Sequence, residues 1–303
     1  MRFILALAVV YVTTGQSFAS ATPPIEIAIT IDDLPSHGPL PKGESRLDIA
    51  KKMLQILKRH KVGEVFGFIN AEKSEKEPET FGVLKEWIAN GYPLGNHTFS
   101  HLSLNEVSAA DFLENIDKNE PVLRALSLNG NYKWFRYPFL HEGNTLEKRN
   151  SIREHLAKTG YKIAQVTIDF EDWMWNAPYV RCQEKGDKGK IEWLKQVYLQ
   201  SALNQLERSA ALSNILFHRP IKHILLLHIG AFDAVMLDKL LSEFEKKGVR
   251  FISLAAANED RAYRIDSRMA PGWDFLDRIM RDEGKKLPRS PELPFDEVKH
   301  ACR

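Results

Sequence analysis

The sequence is poor in the features that mark several classes of protein. Only two cysteines occur in 303 residues, which is too few for a disulfide scaffold, and their spacing fits no zinc motif. Lys and Arg number 42 against 40 Asp and Glu, and the resulting charge of +2 predicts no nucleic-acid partner. After the N-terminal segment no stretch is apolar enough to span a bilayer. No Gly-rich phosphate turn follows an apolar segment, which argues against a dinucleotide site.

The N-terminal segment has the order of a secretory signal peptide. Met1 and Arg2 form a short basic region, the apolar run 3–12 follows, and Ala19-Ser20-Ala21 is a small-residue cleavage site. A transmembrane anchor would need about 20 apolar residues, and polar Thr13 ends this run too early. We therefore expect a signal peptide over 1–21. The mature protein is expected in the periplasm or secreted, without a stable membrane anchor.

Length allows either two domains of about 150 residues or one α/β barrel of about 250. We predict one catalytic domain over 22–270, followed by a Pro-rich and charge-rich tail over 271–303 that packs on it. Because export exposes cysteines to an oxidising compartment, Cys182 and Cys302 are expected to form a disulfide that ties down this tail.

Apolar segments alternate with helical patterns along the mature chain. This alternation predicts about seven βα units and a parallel sheet covered on both faces. A β/α barrel is the preferred architecture, and a doubly wound open sheet is the alternative. The predicted strands are 25–31, 65–69, 92–97, 134–137, 162–168, 223–227 and 250–254. The predicted helices are 44–60, 78–90, 105–126, 146–158, 190–212 and 233–247.

Polar, titratable residues follow most of the predicted strands. In parallel β/α folds the carboxyl ends of the strands meet at one face, where catalytic groups collect. Taken singly, a pair of aspartates often caps a turn and a lone histidine is often a hydrogen-bonded loop residue. Their convergence on one face is what indicates a site. The segments are Asp32-Asp33, His97 to His101, Arg136 to Phe139, Asp169 to Trp173, and His228.

His97 and His101 are four residues apart, so a helical turn would direct both imidazoles to one side. Such pairs also occur on solvated helix faces. Asp33 from a neighbouring strand would complete a set of two histidines and one carboxylate with an open position. Adjacent residues of an extended strand point to opposite sides. Asp32 and Asp33 can therefore share a pocket only through a turn at the strand end.

Five segments together resemble, in order and spacing, the motifs of the polysaccharide deacetylases, carbohydrate esterase family four. The resemblance covers about 25–254 and implies a distorted seven-stranded β/α barrel. It also implies metal-dependent removal of acetyl groups from N-acetylated sugars. The matching segments are Thr30-Ile31-Asp32-Asp33, His97-Thr98-Phe99-Ser100-His101, Arg136-Tyr137-Pro138-Phe139, Asp169-Phe170-Glu171-Asp172-Trp173 and Leu226-Leu227-His228.

The resemblance implies a role for each matching residue. Asp33, His97 and His101 would hold one divalent metal ion, for which we expect zinc. Asp32 would be the general base and His228 the general acid. Arg136 would pair with Asp32 and keep it ionised, and Asp172 would orient His228 and keep it protonated.

Four further residues are expected to contact the substrate. The backbone N–H of Tyr137 or Phe139 would help to stabilise the oxyanion. Trp173 and Leu226 would wall the acetyl pocket, unless they are ordinary barrel core. Phe139 stands where family members often have Tyr. We also expect His37, His141, Glu142 and Trp175 at the rim, as sugar-contacting residues or as a solvated loop.

These features predict a secreted N-deacetylase acting on a polysaccharide, with peptidoglycan N-acetylglucosamine as the preferred substrate. Chitin oligomers and O-acetylated xylan are the alternatives, because the same metal and water would serve amide and ester. A catalytically silent carbohydrate-binding protein would be expected to have lost the base or the acid, whereas Asp32, Arg136, Asp172 and His228 are all present.

Overall fold

The computed structural model describes residues 24–127, 130–268, 274–288 and 293–303. The predicted signal peptide over 1–21 lies outside the described residues, as does the predicted domain end at residue 270. Within the described ranges, no helix combines the length and the apolar character needed to cross a membrane.

Seven strands and eleven α-helices alternate along most of the described chain. The strands are β1 (Glu26–Leu34), β2 (Val65–Ile69), β3 (Leu94–Asn96), β4 (Trp134–Phe135), β5 (Lys162–Ile163), β6 (Lys222–His228) and β7 (Arg250–Phe251). The helices are α1 (Arg46–Arg59), α2 (Glu72–Lys76), α3 (Phe81–Ala89), α4 (Ala109–Leu126), α5 (Leu146–Lys158), α6 (Asn176–Lys185), α7 (Lys188–Phe217), α8 (Ala231–Lys246), α9 (Leu254–Asn258), α10 (Phe275–Asp282) and α11 (Phe295–His300).

The strands form one parallel sheet that curls into a barrel. Its order is β5-β4-β3-β2-β1-β6, and β7 pairs with the first residues of β1. After β5 the chain turns back to β6, where Ile168 bridges Leu225 and its carbonyl accepts from the Leu226 N–H at 3.0 Å. This bridge links the two ends of the strand order. The predicted distorted seven-stranded β/α barrel is confirmed.

The long strands sort their side chains by alternation, as a sheet covered on both faces requires. On β1, Ile27, Ile29 and Ile31 pack in the large core that includes residues of α1 and α8. Ala28 faces the other way, into a small cluster with Phe66. Residues 30 and 32 follow the same alternation as Ala28. Residues 28, 30 and 32 thus face the barrel interior, and the last of them, Asp32, lies at the mouth of the barrel.

Several predicted boundaries differ from the structure. The predicted strand 162–168 is interrupted, because β5 pairs with β4 over only two residues before the chain crosses to β6. The predicted strand 134–137 is likewise cut to β4. Five short helices (α2, α6, α9, α10 and α11) were not predicted. Their length is between five and ten residues, too short for a clear helical period.

The predicted disulfide between Cys182 and Cys302 is confirmed. It links α6 to the end of the chain, and the Arg181 guanidinium donates to the Ala301 carbonyl beside it. Further back, α10 packs through Leu276 and Ile279 against Leu212 of α7. The described parts of the tail thus contact the barrel helices.

Candidate metal-binding active site

The two aspartates at the end of β1 reach one cleft because the strand changes direction between them. Asp32 continues the inward-facing series of β1 and pairs in register with His228 of β6. Asp33 has a φ of 68°, in the left-handed region, and the register with β2 is irregular between Ile31 and Leu34. Such an irregularity re-aims a side chain at the end of a strand. Asp32 and Asp33 therefore share one pocket through a turn at the strand end, as the sequence requires.

The two histidines also converge, but not through a helical turn. The segment between them is irregular, and both Thr98 and His101 adopt left-handed φ values, of 61° and 58°. The ring centroids lie 4.9 Å apart. Asn70 holds this turn by donating to the carbonyls of His97 and Thr98 at 2.6 and 3.0 Å. Residues 97–101 form no helical turn, and the two side chains meet through this irregular backbone instead.

Asp33, His97 and His101 offer one ligand atom each, and these atoms all lie within 4.8 Å of one another. The Asp33 Oδ1 atom lies 3.4 Å from His101 Nε2 and 4.0 Å from His97 Nε2. This oxygen is buried and accepts no hydrogen bond from the described residues, although the Lys73 ammonium lies 3.1 Å from it. An orphaned carboxylate oxygen facing two imidazole nitrogens fits a divalent cation.

The protonation of the two imidazoles also fits a metal. Burial lowers the pKa of His97 well below its ordinary value and that of His101 to about 4, so both are neutral at neutral pH. His97 Nδ1 lies 2.8 Å from the Arg136 carbonyl, which requires a proton on Nδ1 and leaves the Nε2 lone pair toward Asp33. Neutral imidazoles of fixed tautomer are the form that binds metal.

Arg136 crosses the barrel interior from β4 to β1. It is fully buried, donates to the Ala164 carbonyl and the Thr30 hydroxyl, and lies 3.3 Å from Asp32 Oδ2. The expected pairing is present, but Arg136 does not keep the pKa of Asp32 low. Burial outweighs the guanidinium and raises the pKa of Asp32 to about 6. The second oxygen of Asp32, Oδ1, has no hydrogen-bond partner among the described residues.

His228 is held by Asp172 through two contacts. The Asp172 carboxylate accepts from the His228 backbone N–H at 2.6 Å and from Nδ1 at 2.9 Å. Burial lowers the pKa of His228, but Asp172 and the other nearby carboxylates outweigh it and raise the pKa to about 10. His228 is therefore a cation at neutral pH, with Nε2 free to donate a proton.

The cleft has a volume of about 470 Å³. It takes in every predicted site residue except Arg136 and Asp172, which lie behind it and hold Asp32 and His228. The lining residues are Asp32, Asp33, His37, His97, His101, Tyr137, Phe139, Leu140, His141, Asp169, Glu171, Trp173, Leu226 and His228.

The four predicted substrate-contacting residues differ in how they face the cleft. Trp173 and Phe139 are 45% and 58% exposed, so neither is barrel core. Leu226 is buried at the floor. The Tyr137 ring is buried against Phe135, 4.9 Å between centroids, which leaves only its backbone for the oxyanion role.

Two of the predicted rim residues are at the cleft and two are not. His37 and His141 line it. Trp175 is fully buried against Tyr198, and Glu142 lies in a cluster of ion pairs with Arg153 and Arg278. A residue that follows a strand end therefore does not always lie at the rim of the cleft.

Sequence reasoning also missed residues that surround the site. Lys73, from α2, lies 3.1 Å from Asp33 Oδ1. Asp233 of α8 accepts from the Tyr198 hydroxyl at 2.8 Å, behind the Asp172 carboxylate, and burial raises its pKa well above the ordinary value. Neither residue belongs to the five motifs. The only signal for Lys73 is its position after β2, at the same face as the site.

A parallel β/α barrel with a two-histidine, one-carboxylate cluster and a separate carboxylate and histidinium is suited to hydrolysis. The sequence model of the polysaccharide deacetylase family matches residues 19–164. With the relatives and the solved structures described below, this match shows that the chain is similar to the polysaccharide deacetylases.

Two relatives illustrate the substrates found in the family. The chain is 29% identical over 231 residues to a peptidoglycan-N-acetylglucosamine deacetylase of Bacillus cereus, covering 76% of this chain and 66% of the relative. It is 26% identical over 172 residues to a chitin deacetylase of Colletotrichum lindemuthianum, covering 55% and 60%. The chain thus spans about two thirds or less of the length of these relatives.

Solved structures share the fold. A peptidoglycan N-acetylglucosamine deacetylase in complex with 4-naphthalen-1-yl-N-oxidanyl-benzamide superposes with a TM-score of 0.51 at 25% identity, over 77% of this chain and 87% of the other. A family four carbohydrate esterase pseudoenzyme of Bacillus anthracis superposes with a TM-score of 0.54 at 16% identity, over 78% and 66%. The second similarity concerns the fold alone.

Proposed function

We propose that this protein is an exported, metal-dependent deacetylase that hydrolyses the acetamido group of N-acetylglucosamine units in peptidoglycan and releases acetate. The observation that carries the proposal is the convergence of Asp33, His97 and His101 within 4.8 Å, beside Asp32 and His228 on neighbouring strands. An active deacetylase needs all five groups, and a binding protein needs none of them.

Zinc is the proposed metal, because two imidazoles and one carboxylate are ligands that suit it and leave an open position. When bound, the ion would polarise the acetyl carbonyl and lower the pKa of water at the site. Asp33, His97 and His101 would hold it.

The remaining steps belong to side chains of this chain. Asp32 takes the proton of the attacking water, and a pKa raised by burial to about 6 suits a base that must both accept and release protons near neutrality. His228, kept protonated by Asp172, gives its Nε2 proton to the departing sugar nitrogen. Arg136 and the barrel floor keep Asp32 in place.

The proposed substrate rests on the relatives and on the expected compartment. Two peptidoglycan deacetylases are among the similar curated proteins. The predicted signal peptide would bring the protein to the compartment where peptidoglycan is the nearest N-acetylated polymer. Exposed Trp173 and Phe139 give the cleft two aromatic surfaces on which sugar rings can pack.

The test is acetate release from sacculi, N-acetylglucosamine oligomers and acetylxylan by the zinc-loaded protein, with Asp32→Asn as the matched control. We expect acetate from sacculi, and muropeptides lighter by one acetyl mass for each deacetylation. Unchanged sacculi with acetate from chitin oligomers, or from acetylxylan alone, would contradict the proposed substrate. No acetate from any of the three would indicate a carbohydrate-binding protein.

A further inference from the structure

Asp33 is held by contacts that lie outside the five motifs. His37 Nδ1 lies 2.8 Å from Asp33 Oδ2, while the other carboxylate oxygen, Oδ1, lies near His97 and His101. The His37 side chain is 18% exposed, and its backbone carbonyl accepts from the Arg46 guanidinium of α1 at 3.1 Å. Both ends of His37 are therefore engaged, and its hydrogen bond leaves Oδ1 directed at His97 and His101.

Lys73 holds the backbone of the same turn. Its ammonium donates to the carbonyls of Asp33 at 3.2 Å and Ser36 at 3.0 Å. It also makes an ion pair with Asp33 Oδ1 at 3.1 Å. Two backbone carbonyls thus accept hydrogen bonds from one ammonium, and Asp33 Oδ1 lies within ion-pair distance of it without a hydrogen bond. The Ser36 N–H donates to the Asp33 carbonyl at 2.9 Å and closes the turn.

The turn needs such support because its conformation is unfavourable. Asp33 is a non-glycine residue at a φ of 68°. Residues in this region persist when their surroundings over-determine them. Without that turn, alternation along β1 would send the Asp33 carboxylate to the outer face of the sheet, away from His97 and His101.

We propose that His37 and Lys73 are positioning residues that hold Asp33 in the geometry in which it binds the metal ion. This inference rests on the metal site of the proposed function, but not on the substrate. His37 orients the carboxylate and Lys73 fixes the turn that carries it.

Removal of the Lys73 charge should change metal affinity in opposite directions, according to whether Lys73 only repels the metal ion or positions Asp33. A positive charge beside a metal ligand opposes binding of a cation, so removing it should tighten metal binding if charge alone mattered. If Lys73 positions Asp33, removing it should weaken binding. Lys76 is the matched control, because it lies one turn away on α2, is exposed and pairs only with Glu72 among its side-chain ion-pair partners in the described structure.

The experiment measures the dissociation constant of zinc by competition with a chelator, without substrate, in the full chain. We expect Lys73→Met and His37→Leu to bind zinc about 10-fold or more weakly, the scale of a lost outer-shell contact. Lys76→Met should match the wild type. His37→Asn should restore most of the affinity lost in His37→Leu, because an Asn amide can donate from nearly the position of Nδ1. Circular dichroism checks that each variant is folded.

Unchanged affinity in folded His37→Leu, or tighter binding in Lys73→Met, would overturn the inference while leaving the metal site intact. Weaker binding in His37→Asn equal to that of His37→Leu would also count against it, since the donated hydrogen bond would then not matter. A wild-type protein that bound no zinc would overturn the proposed function itself, and the inference with it.

Discussion

Two buried carboxylates of this protein, Asp32 and Glu142, are both paired with arginine, but their pKa values are shifted in opposite directions. In the part of the chain that the structure describes, Asp32 has a single guanidinium at 3.3 Å, and one of its oxygens has no hydrogen-bond partner. Glu142 accepts from Arg153 at 2.7 Å, Arg278 at 2.8 Å and Gln165 at 3.0 Å. Burial raises the pKa of both, but only at Glu142 do the partners outweigh it, and they lower the pKa to about 2.

The difference shows how the barrel uses buried charge in two ways. Three donors satisfy Glu142, which joins the loop after β4 to α5 and to α10 and is a structural group. Asp32 keeps an unsatisfied oxygen and a pKa of about 6. A base must be able to take a proton, and full satisfaction of a carboxylate prevents this.

Of the variants that test the active site, loss of a proposed metal ligand should have the largest effect. His97→Ala should abolish both zinc binding and acetate release, because a three-ligand site with one ligand missing loses most of its affinity. Metal analysis and an acetate assay check this, with His155→Ala, at a partly exposed histidine paired with Asp117, as control. Full activity with one tightly bound ion in His97→Ala would show that the ligand assignment is wrong.

Asp32→Asn separates the proposed general base from the proposed metal ligands. Turnover should fall by about 100-fold or more, the scale of a lost general base, while zinc remains bound. Steady-state kinetics and metal analysis of the same preparation provide the two measurements. Loss of metal in parallel with turnover would instead identify Asp32 as a ligand.

His228→Ala tests the proposed role of His228 as the general acid. Amide hydrolysis should slow by about 100-fold, because the sugar nitrogen needs a proton to leave. Activated aryl esters should be less affected, since their leaving groups depart as anions. Equal damage to kcat for both kinds of substrate would argue against proton donation by His228.

Glu142→Gln tests whether Glu142 stabilises the fold. Arg149, Arg153 and Arg278 would lose a buried partner, and the free energy of unfolding should fall by about 3 kcal/mol. Urea unfolding measures the loss, with Glu147→Gln, at an exposed position on α5, as control. At urea concentrations below the unfolding transition, kcat of Glu142→Gln should stay near the wild-type value. A loss of kcat as large as that of Asp32→Asn would show that Glu142 also serves the reaction.

The pH dependence of stability should show the smallest effect. The pKa of Glu142 falls from an ordinary 4.5 to about 2 in the folded protein, so its contribution is fully present above pH 4.5. It should be lost as the pH falls from there toward 2. The stability difference between wild type and Glu142→Gln should therefore shrink over this range. A difference that stayed constant would mean that Glu142 titrates alike in the folded and unfolded chain.

Much of this protein can be predicted from the order of its residues. The βα alternation predicts the barrel because strand and helix periods are local properties of side-chain spacing. The strand-end residues Asp32, Asp33, His97, His101 and His228 do meet in one cleft. They meet because the carboxyl ends of parallel strands share one face, whatever the loops do. The sequence alone thus determined which groups collect at the site.

Only the tertiary structure decided how those groups are aimed and charged. The left-handed turn at Asp33 brings adjacent aspartates to one side, and irregular backbone, not a helix, joins His97 to His101. Lys73, Asp233 and Arg278, a partner of Glu142, come from distant parts of the chain. The pKa of a buried carboxylate depends on how many donors surround it in space. Sequence separation carries no record of that number, so Asp32 and Glu142 could be told apart only in the folded protein.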